Sequence, residues 1–302
     1  MSDWNGILKE IQETQSPVDF IRRKYIKQLS EFTGRNTIAY YSGWLTKQNA
    51  NNSDINDGDM NGFMNCVHGL DCKRGLDLIL HTPGGSPAAA EIIVTYLRKK
   101  FNSDIRVIVP QLAMSAGTMI ACSAKVIIMG KQSSLGPIDP QFNGIPAYNI
   151  KREFEEAKED LLHNPANAKY WAIKLQQYPA AFMKTAIDAI ELSGELIREW
   201  LGSCMFDKSI SKDVKIIDEI VAKLNDHDNS KIHGRHFNSD FCKAMGLKIE
   251  MMEEDDKLQD AILSLHHSYM ISLDGTSAIK IIENQEQKSF ISSISAKGGV
   301  MI

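Results

Sequence analysis

Residues 76–140 read LDLILHTPGGSPAAAEIIVTYLRKKFNSDIRVIVPQLAMSAGTMIACSAKVIIMGKQSSLGPIDP, and the rest of the chain is organised around them. Leu76 to Leu80 is a near-continuous apolar run, the pattern of a parallel strand covered on both faces. It ends at Thr82-Pro83-Gly84-Gly85, where paired glycines allow positive φ and close approach of the backbone to a ligand. Ser86 supplies an N-cap oxygen and Pro87 suits the first helical position, so a helix is predicted to run to about Phe101. Ile105 to Val109 is a second strand. A turn of small residues, Ala113-Met114-Ser115-Ala116-Gly117, then opens a second helix. Lys125 to Met129 is a third strand, and the alternation specifies βαβ units with right-handed crossovers.

Two parallel strands deliver Gly84-Gly85 and Ser115 to the same carboxyl edge of the sheet. A serine at the mouth of a helix sits where backbone amides can meet a developing oxyanion, which is the arrangement acyl transfer needs. The turn is comparable to the G-x-S-x-G nucleophile elbow, but Ala113 replaces the first glycine.

H-T-P-G-G, M-S-A-G-T about thirty residues later, and S-L-G-P-I-D-P-Q-F together resemble the serine dehydrogenase proteinase family. These are Clp-fold serine peptidases related to the Clp protease proteolytic subunit and signal peptide peptidase A. The resemblance is specific from about Ile38 to Phe142. It implies an α/β Clp/crotonase-like fold, Ser115 as nucleophile, and Gly85 and Ala116 as donors of the oxyanion-hole amides. It also implies a peptide or unfolded-polypeptide substrate, no cofactor, and a closed ring of identical subunits.

Ser115 needs a base to take its proton. His81 ends the first strand beside the glycine turn, where a structural role competes with a catalytic one. In the Clp subunit the base is a histidine about twenty-five residues after the serine. That neighbourhood here is Ile138-Asp139-Pro140-Gln141 and holds no histidine, while an exposed Asp139 would be a feeble base. Signal peptide peptidases and their soluble relatives use a lysine, in some roughly forty residues after the serine. That spacing points to Lys151, with Lys158 as the alternative, because burial and a helix N-terminus both lower a lysine pKa. The opposing reading is a solvated lysine in the charged run Lys151-Arg152-Glu153.

The chain has 302 residues, 43% hydrophobic and 24% charged, with net charge −4, so it has mass for a substantial core and no basic footprint for nucleic acid. Five cysteines without a C-x-x-C pair indicate reduced thiols and no zinc ribbon. Neither a signal-peptide pattern at Met1-Ser2-Asp3-Trp4-Asn5 nor eighteen consecutive apolar residues occur, so a cytoplasmic protein without a membrane anchor is expected. Asp54, Asp57 and Asp59 fail calcium-loop spacing, and Asp57 or Asp59 serves better as a helix start. His227, His233, His236, His266 and His267 lack the partners of a zinc motif, and capping or packing roles are expected for them.

Four segments follow: an N-terminal helical segment (1–35) capped at Ser16-Pro17, the α/β core (36–148), a helical C-terminal region packed on it (149–290), and a flexible tail (291–302) containing Gly298-Gly299. Stripes containing Phe154, Trp171, Phe182, Ile197, Trp200 and Leu201 exceed what one sheet face readily covers, which argues for a homo-oligomer. Two other functions share the fold: a catalytically silent scaffold or peptide-binding protein, and a crotonase-type acyl-CoA enzyme, which uses the same two amides without needing Ser115.

Overall fold

The computed structural model describes residues 3–14, 18–48, 50–225 and 232–294. Two helices, α1 (Trp4–Thr14) and α2 (Val18–Thr33), lead into β1 (Asn36–Ser42) and α3 (Asp59–Val67). The βαβ succession follows as β2 (Leu76–His81), α4 (Pro87–Phe101), β3 (Ile105–Val109), β4 (Leu112–Ala113), α5 (Ala116–Cys122) and β5 (Val126–Met129). Short strands β6 (Ser134–Leu135), β7 (Gln141–Phe142) and β8 (Ile145–Pro146) lead to the helices α6 (Ala147–His163), α7 (Ala168–Leu175), α8 (Phe182–Trp200) and α9 (Ser211–Asn225). The chain continues through β9 (Phe237–Asn238), α10 (Ser239–Met245), β10 (Ile249–Met251), α11 (Asp256–Gly275), β11 (Ala278–Asn284) and β12 (Ser289–Ser293).

Seven of these strands form the central sheet in the order β10-β5-β3-β2-β1-β11-β12. The first five are mutually parallel, whereas β11 runs antiparallel to β1 and β12 antiparallel to β11. This is the α/β architecture that the alternating runs imply. Because strand side chains alternate in direction, the two faces carry separate cores. Ile38, Tyr40, Leu78, Leu80, Val107 and Ile127 pack with α3, α4, α5, α8 and α9. Ala39, Tyr41, Ile79, Ile108 and Ile128 pack with α1, α2 and α11. The parallel strands β2, β3 and β5 are therefore apolar at most positions, as their sequences read.

The helical region differs from expectation at its end. The span 149–290 is not all helical: β10 extends one edge of the sheet, and β11 and β12 extend the other. The tail expected from 291 onward begins inside β12, and Gly298-Gly299 lies outside the described residues, as do Ser16-Pro17 and His227. The pattern hid β11 because Lys280 and Glu283 interrupt its apolar run. Both are buried, and each has a buried or half-buried partner of opposite charge: Lys280 meets Asp59, and Glu283 meets Arg22 and Arg23.

The stripes cited for an oligomer are largely covered within the chain. Ile197, Trp200 and Leu201 belong to the main core. Phe154 and Phe182 pack with Tyr178 and Ile150 in a satellite cluster between α6 and α8. Trp171 is buried and donates from Nε1 to Asp160 Oδ2 at 2.7 Å.

Candidate active site

The site grows from the carboxyl ends of β2 and β3. Past β2, Thr82 forms a one-residue parallel bridge with Ala113, with Thr82 N donating to Leu112 O and Met114 N to Thr82 O, both at 3.0 Å. These bonds hold the glycine turn against the serine turn. A Cβ on Gly84 would lie 2.6 Å from Ser115 Cβ and 2.7 Å from Met114 O, so only glycine permits this approach. Ser86 caps α4 as expected, its Oγ accepting from Ala89 N, with Pro87 in the first turn.

Ser115 has φ 50° and ψ −118°, a backbone conformation that non-glycine residues rarely adopt. Strain of this kind costs of order 1–3 kcal/mol and persists only where the surroundings impose it. Here Gly117 N donates to Met114 O at 2.7 Å, and Thr118 Oγ1 lies 2.9 Å from Ala113 O while accepting from Gly136 N at 2.9 Å. The turn is thus a strained strand-to-helix elbow despite Ala113 in place of the first glycine. Ala116 opens α5, and Gly85 follows on the neighbouring turn, so the expected oxyanion donors flank the serine.

Ser115 and Gly85 line a cleft of about 410 Å³ together with Pro83, Met119, Ile138, Pro140, Phe142, Ala189, Ser193 and His233. The segment 133–146, rich in glycine and proline, forms part of its wall as the sequence indicates. His233 is the titratable side chain in that lining. Its Nδ1 lies 2.7 Å from Oδ1 of the fully buried Asp139. A carboxylate only accepts hydrogen bonds, so Nδ1 carries a proton, and in the neutral ring the lone pair is on Nε2. Gln141 Nε2 donates to the second Asp139 oxygen at 2.7 Å and so fixes the carboxylate plane. Asp139 is therefore not the exposed residue the sequence suggests.

The other base candidates lie elsewhere. Lys151 is on α6 with its side chain 40% exposed, 3.8 Å from Glu155 one turn along, and it is not part of the cleft wall. The forty-residue spacing places it on α6, a helix that contributes no side chain to the cleft wall. Lys158 is exposed on the same helix. His81 is fully buried on the opposite face of the sheet, its ring 4.4 Å from that of Trp44 and 5.5 Å from that of Tyr41. Among the described residues neither ring nitrogen meets a partner in good hydrogen-bond geometry, and burial, followed by nearby His266, holds its pKa well below the usual histidine value, against a weaker opposing contact with the Leu112 backbone.

The sequence reading gave His233 a capping or packing role because its partner is 94 residues away. The available signal was an aspartate standing where the Clp subunit has its histidine, which leaves a carboxylate in the cleft wall seeking a cation or an imidazole. Among the described residues, no group of three or more His, Cys, Asp or Glu side chains is placed to hold a metal ion, and no helix is long and apolar enough to cross a membrane.

Residues 56–165 match the family of ClpP-like SDH-type serine proteinases. This is the family that the motifs around Ser115 resemble. The matched segment carries Gly84, Gly85, Ser115, Ala116 and Asp139, while His233 and β11 fall outside it. Two proteins of Methanocaldococcus jannaschii are similar in sequence. Uncharacterized protein MJ0137 is 40% identical over 102 residues, covering 34% of this chain and 35% of that protein. Uncharacterized protein MJ1495 is 47% identical over 75 residues, 25% of each. The similarity thus spans between a quarter and about a third of each relative's length.

Proposed function

We propose that this chain is a serine peptidase whose nucleophile is Ser115, whose base is His233 oriented by Asp139, and whose oxyanion hole is formed by the amides of Gly85 and Ala116. The observation that carries the reading is the His233–Asp139 pair in the wall of the cleft that holds Ser115. As substrate enters, Ser115 Oγ attacks the scissile carbonyl and its proton passes to His233 Nε2. The carbonyl oxygen takes the negative charge between the two amides, and Asp139 stabilises the imidazolium. Collapse breaks the C–N bond, the imidazolium gives its proton to the departing amine, and water then releases the acyl group by the same steps. This replaces the Ser-Lys dyad implied by resemblance: the imidazole already has its orienting carboxylate, whereas Lys151 pairs with Glu155 in solvent.

The cleft suits an extended peptide segment. Its wall is mostly apolar, with Met119, Ile138, Pro140, Phe142 and Ala189 offering no fixed charge to a side chain bound beside Ser115. Cytoplasmic residence belongs to the same proposal and is supported by five unpaired cysteines. A homo-oligomer is also part of it, supported by Leu162, Tyr170 and Ile173 on α6 and α7, which remain 58–74% exposed. Light scattering tests assembly, since a stable species of 33.8 kDa would reject it.

A fluorophosphonate probe and a denatured protein substrate test the reaction. Wild type should label and cleave, Ser115→Ala should do neither, and His233→Ala should lose turnover while Lys151→Ala keeps it. A folded wild type that resists the probe would refute the peptidase reading.

A further inference from the structure

Gly85 is gripped from the side away from the cleft by a single residue of the 53–58 loop. Ile55 forms an isolated parallel bridge with it: Ile55 N donates to Gly84 O at 2.7 Å, and Ser86 N donates to Ile55 O at 2.9 Å. The approach is so close that a Cβ on Gly85 would lie 2.4 Å from both Ile55 N and Ile55 O. In a trans peptide the C=O and the following N–H point in opposite directions. Ile55, by holding Gly84 O, therefore turns the Gly85 N–H away from itself and toward the side where Ser115 lies.

Ile55 is an apolar residue in a polar loop, buried in the main core, and Asn56 Nδ2 donates to Asp54 O at 3.1 Å across it, but these local contacts do not by themselves set the plane of its peptides. A further, buried anchor comes from β11. Lys280 Nζ donates to Asp54 O at 2.5 Å and to Asp59 Oδ1 at 2.7 Å. Asp59 Oδ2 accepts from Asn56 N at 3.1 Å and from Tyr40 Oη at 2.8 Å. The backbone is thus pinned on both sides of Ile55, at the Asp54 carbonyl and the Asn56 amide, by one buried ion pair. Both charged side chains are only 2% exposed. Desolvating two charges is expensive, and well-packed apolar residues stabilise a fold as well or better, so stability alone is a poor account of this pair.

We propose that Lys280 is a positioning residue for the oxyanion hole, acting through Asp59, the 54–56 backbone and Ile55 to aim the Gly85 amide. The inference rests on the peptidase reading above. It predicts that disturbing Lys280 weakens binding of the tetrahedral oxyanion and leaves ground-state peptide binding alone, because Lys280 touches no substrate.

Two variants test it. Lys280→Met combined with Asp59→Leu removes both charges without stranding either. Lys280→Arg keeps a charge, but its planar fork cannot serve Asp54 O and Asp59 Oδ1 as a compact ammonium does. Each would be checked for folding by circular dichroism and melting, then assayed for kcat, KM, inhibition by a peptide aldehyde whose hemiacetal bears an oxyanion, and affinity for a product peptide. The double variant should lose roughly 10- to 100-fold in kcat and in aldehyde affinity, with KM and product affinity within about twofold. The arginine variant should fall between it and wild type. A folded variant of either kind with wild-type kcat and aldehyde affinity overturns the proposal, and so does an equal loss in product-peptide affinity. If wild type itself neither labels nor binds the aldehyde, the peptidase reading has failed instead.

Discussion

His233 and Asp139 meet at 2.7 Å across 94 residues of sequence, one partly exposed in the cleft wall and the other buried beneath it. The pair orients an imidazole, and orientation is sensitive to which ring nitrogen holds the proton. Asp139→Asn would keep the contact but can donate its amide to Nδ1, which selects the wrong tautomer. We expect kcat to fall by roughly 10³–10⁴ for Asp139→Asn and for His233→Ala alike, with KM little changed. Steady-state kinetics on a fluorogenic peptide checks this, and a loss under tenfold in either variant would remove the pair from the mechanism.

The elbow at Ser115 makes a prediction about stability. Alanine there keeps the strained φ of 50°, whereas glycine relieves it at the expense of greater freedom in the unfolded chain. Ser115→Gly should therefore be more stable than Ser115→Ala by about 1 kcal/mol in urea denaturation, both being inactive. Equal midpoints would mean that the conformation is not strained.

At Gly85 the opposite holds. With φ at 149° and Ile55 backbone atoms 2.4 Å from any Cβ, Gly85→Ala must push the 53–58 loop away. Expected are complete loss of probe labelling and a destabilisation of roughly 2–4 kcal/mol. Labelling at the wild-type rate would show that the Gly85 amide is not an oxyanion donor.

Acid should unfold the protein through the face of the sheet opposite the cleft. His81 and His266 are buried among Tyr41, Trp44, His267 and Tyr269, and Tyr41 Oη lies 3.2 Å from His266 Nδ1. Burial lowers both pKa values, that of His266 to about 3, with His267 adding to the effect. The folded state thus binds fewer protons than the unfolded state below pH about 6.5, so their stabilisation is complete above that pH and lost as pH falls toward the folded values. The slope is about 1.4 kcal/mol per pH unit for each histidine. Urea midpoints measured between pH 7 and 5 should decline, and His266→Phe should flatten the decline; a profile unchanged by that substitution would discount His266.

Much of the fold was legible because the parallel strands are apolar on both faces. Leu76–His81, Ile105–Val109 and Val126–Met129 fall within a residue of where the runs place them. Ser115 and Gly84-Gly85 were legible for a related reason, since small residues after such runs mark tight turns at the sheet edge. What stayed hidden depends on partners distant in sequence. Lys280 and Glu283 spoil the apolar pattern of β11 unless Asp59 and Arg22 are known to face them, and His233 has no meaning until Asp139 is beside it. Lys151 shows the converse: a spacing borrowed from relatives places a residue along the chain, while what it meets there, Glu155 at 3.8 Å, depends on the helix it joins.

The insertion of β11 beside β1 also sets an order of events during synthesis. Ser115 and its elbow leave the ribosome well before His233, and Lys280 follows only after another 47 residues. A nascent chain therefore carries its proposed nucleophile through 165 residues of elongation before the proposed tether of its oxyanion loop exists. On the proposed reading, competence arrives with the β11 strand, and a peptidase emerging among unfolded neighbours would stay inactive until β11 has joined its sheet.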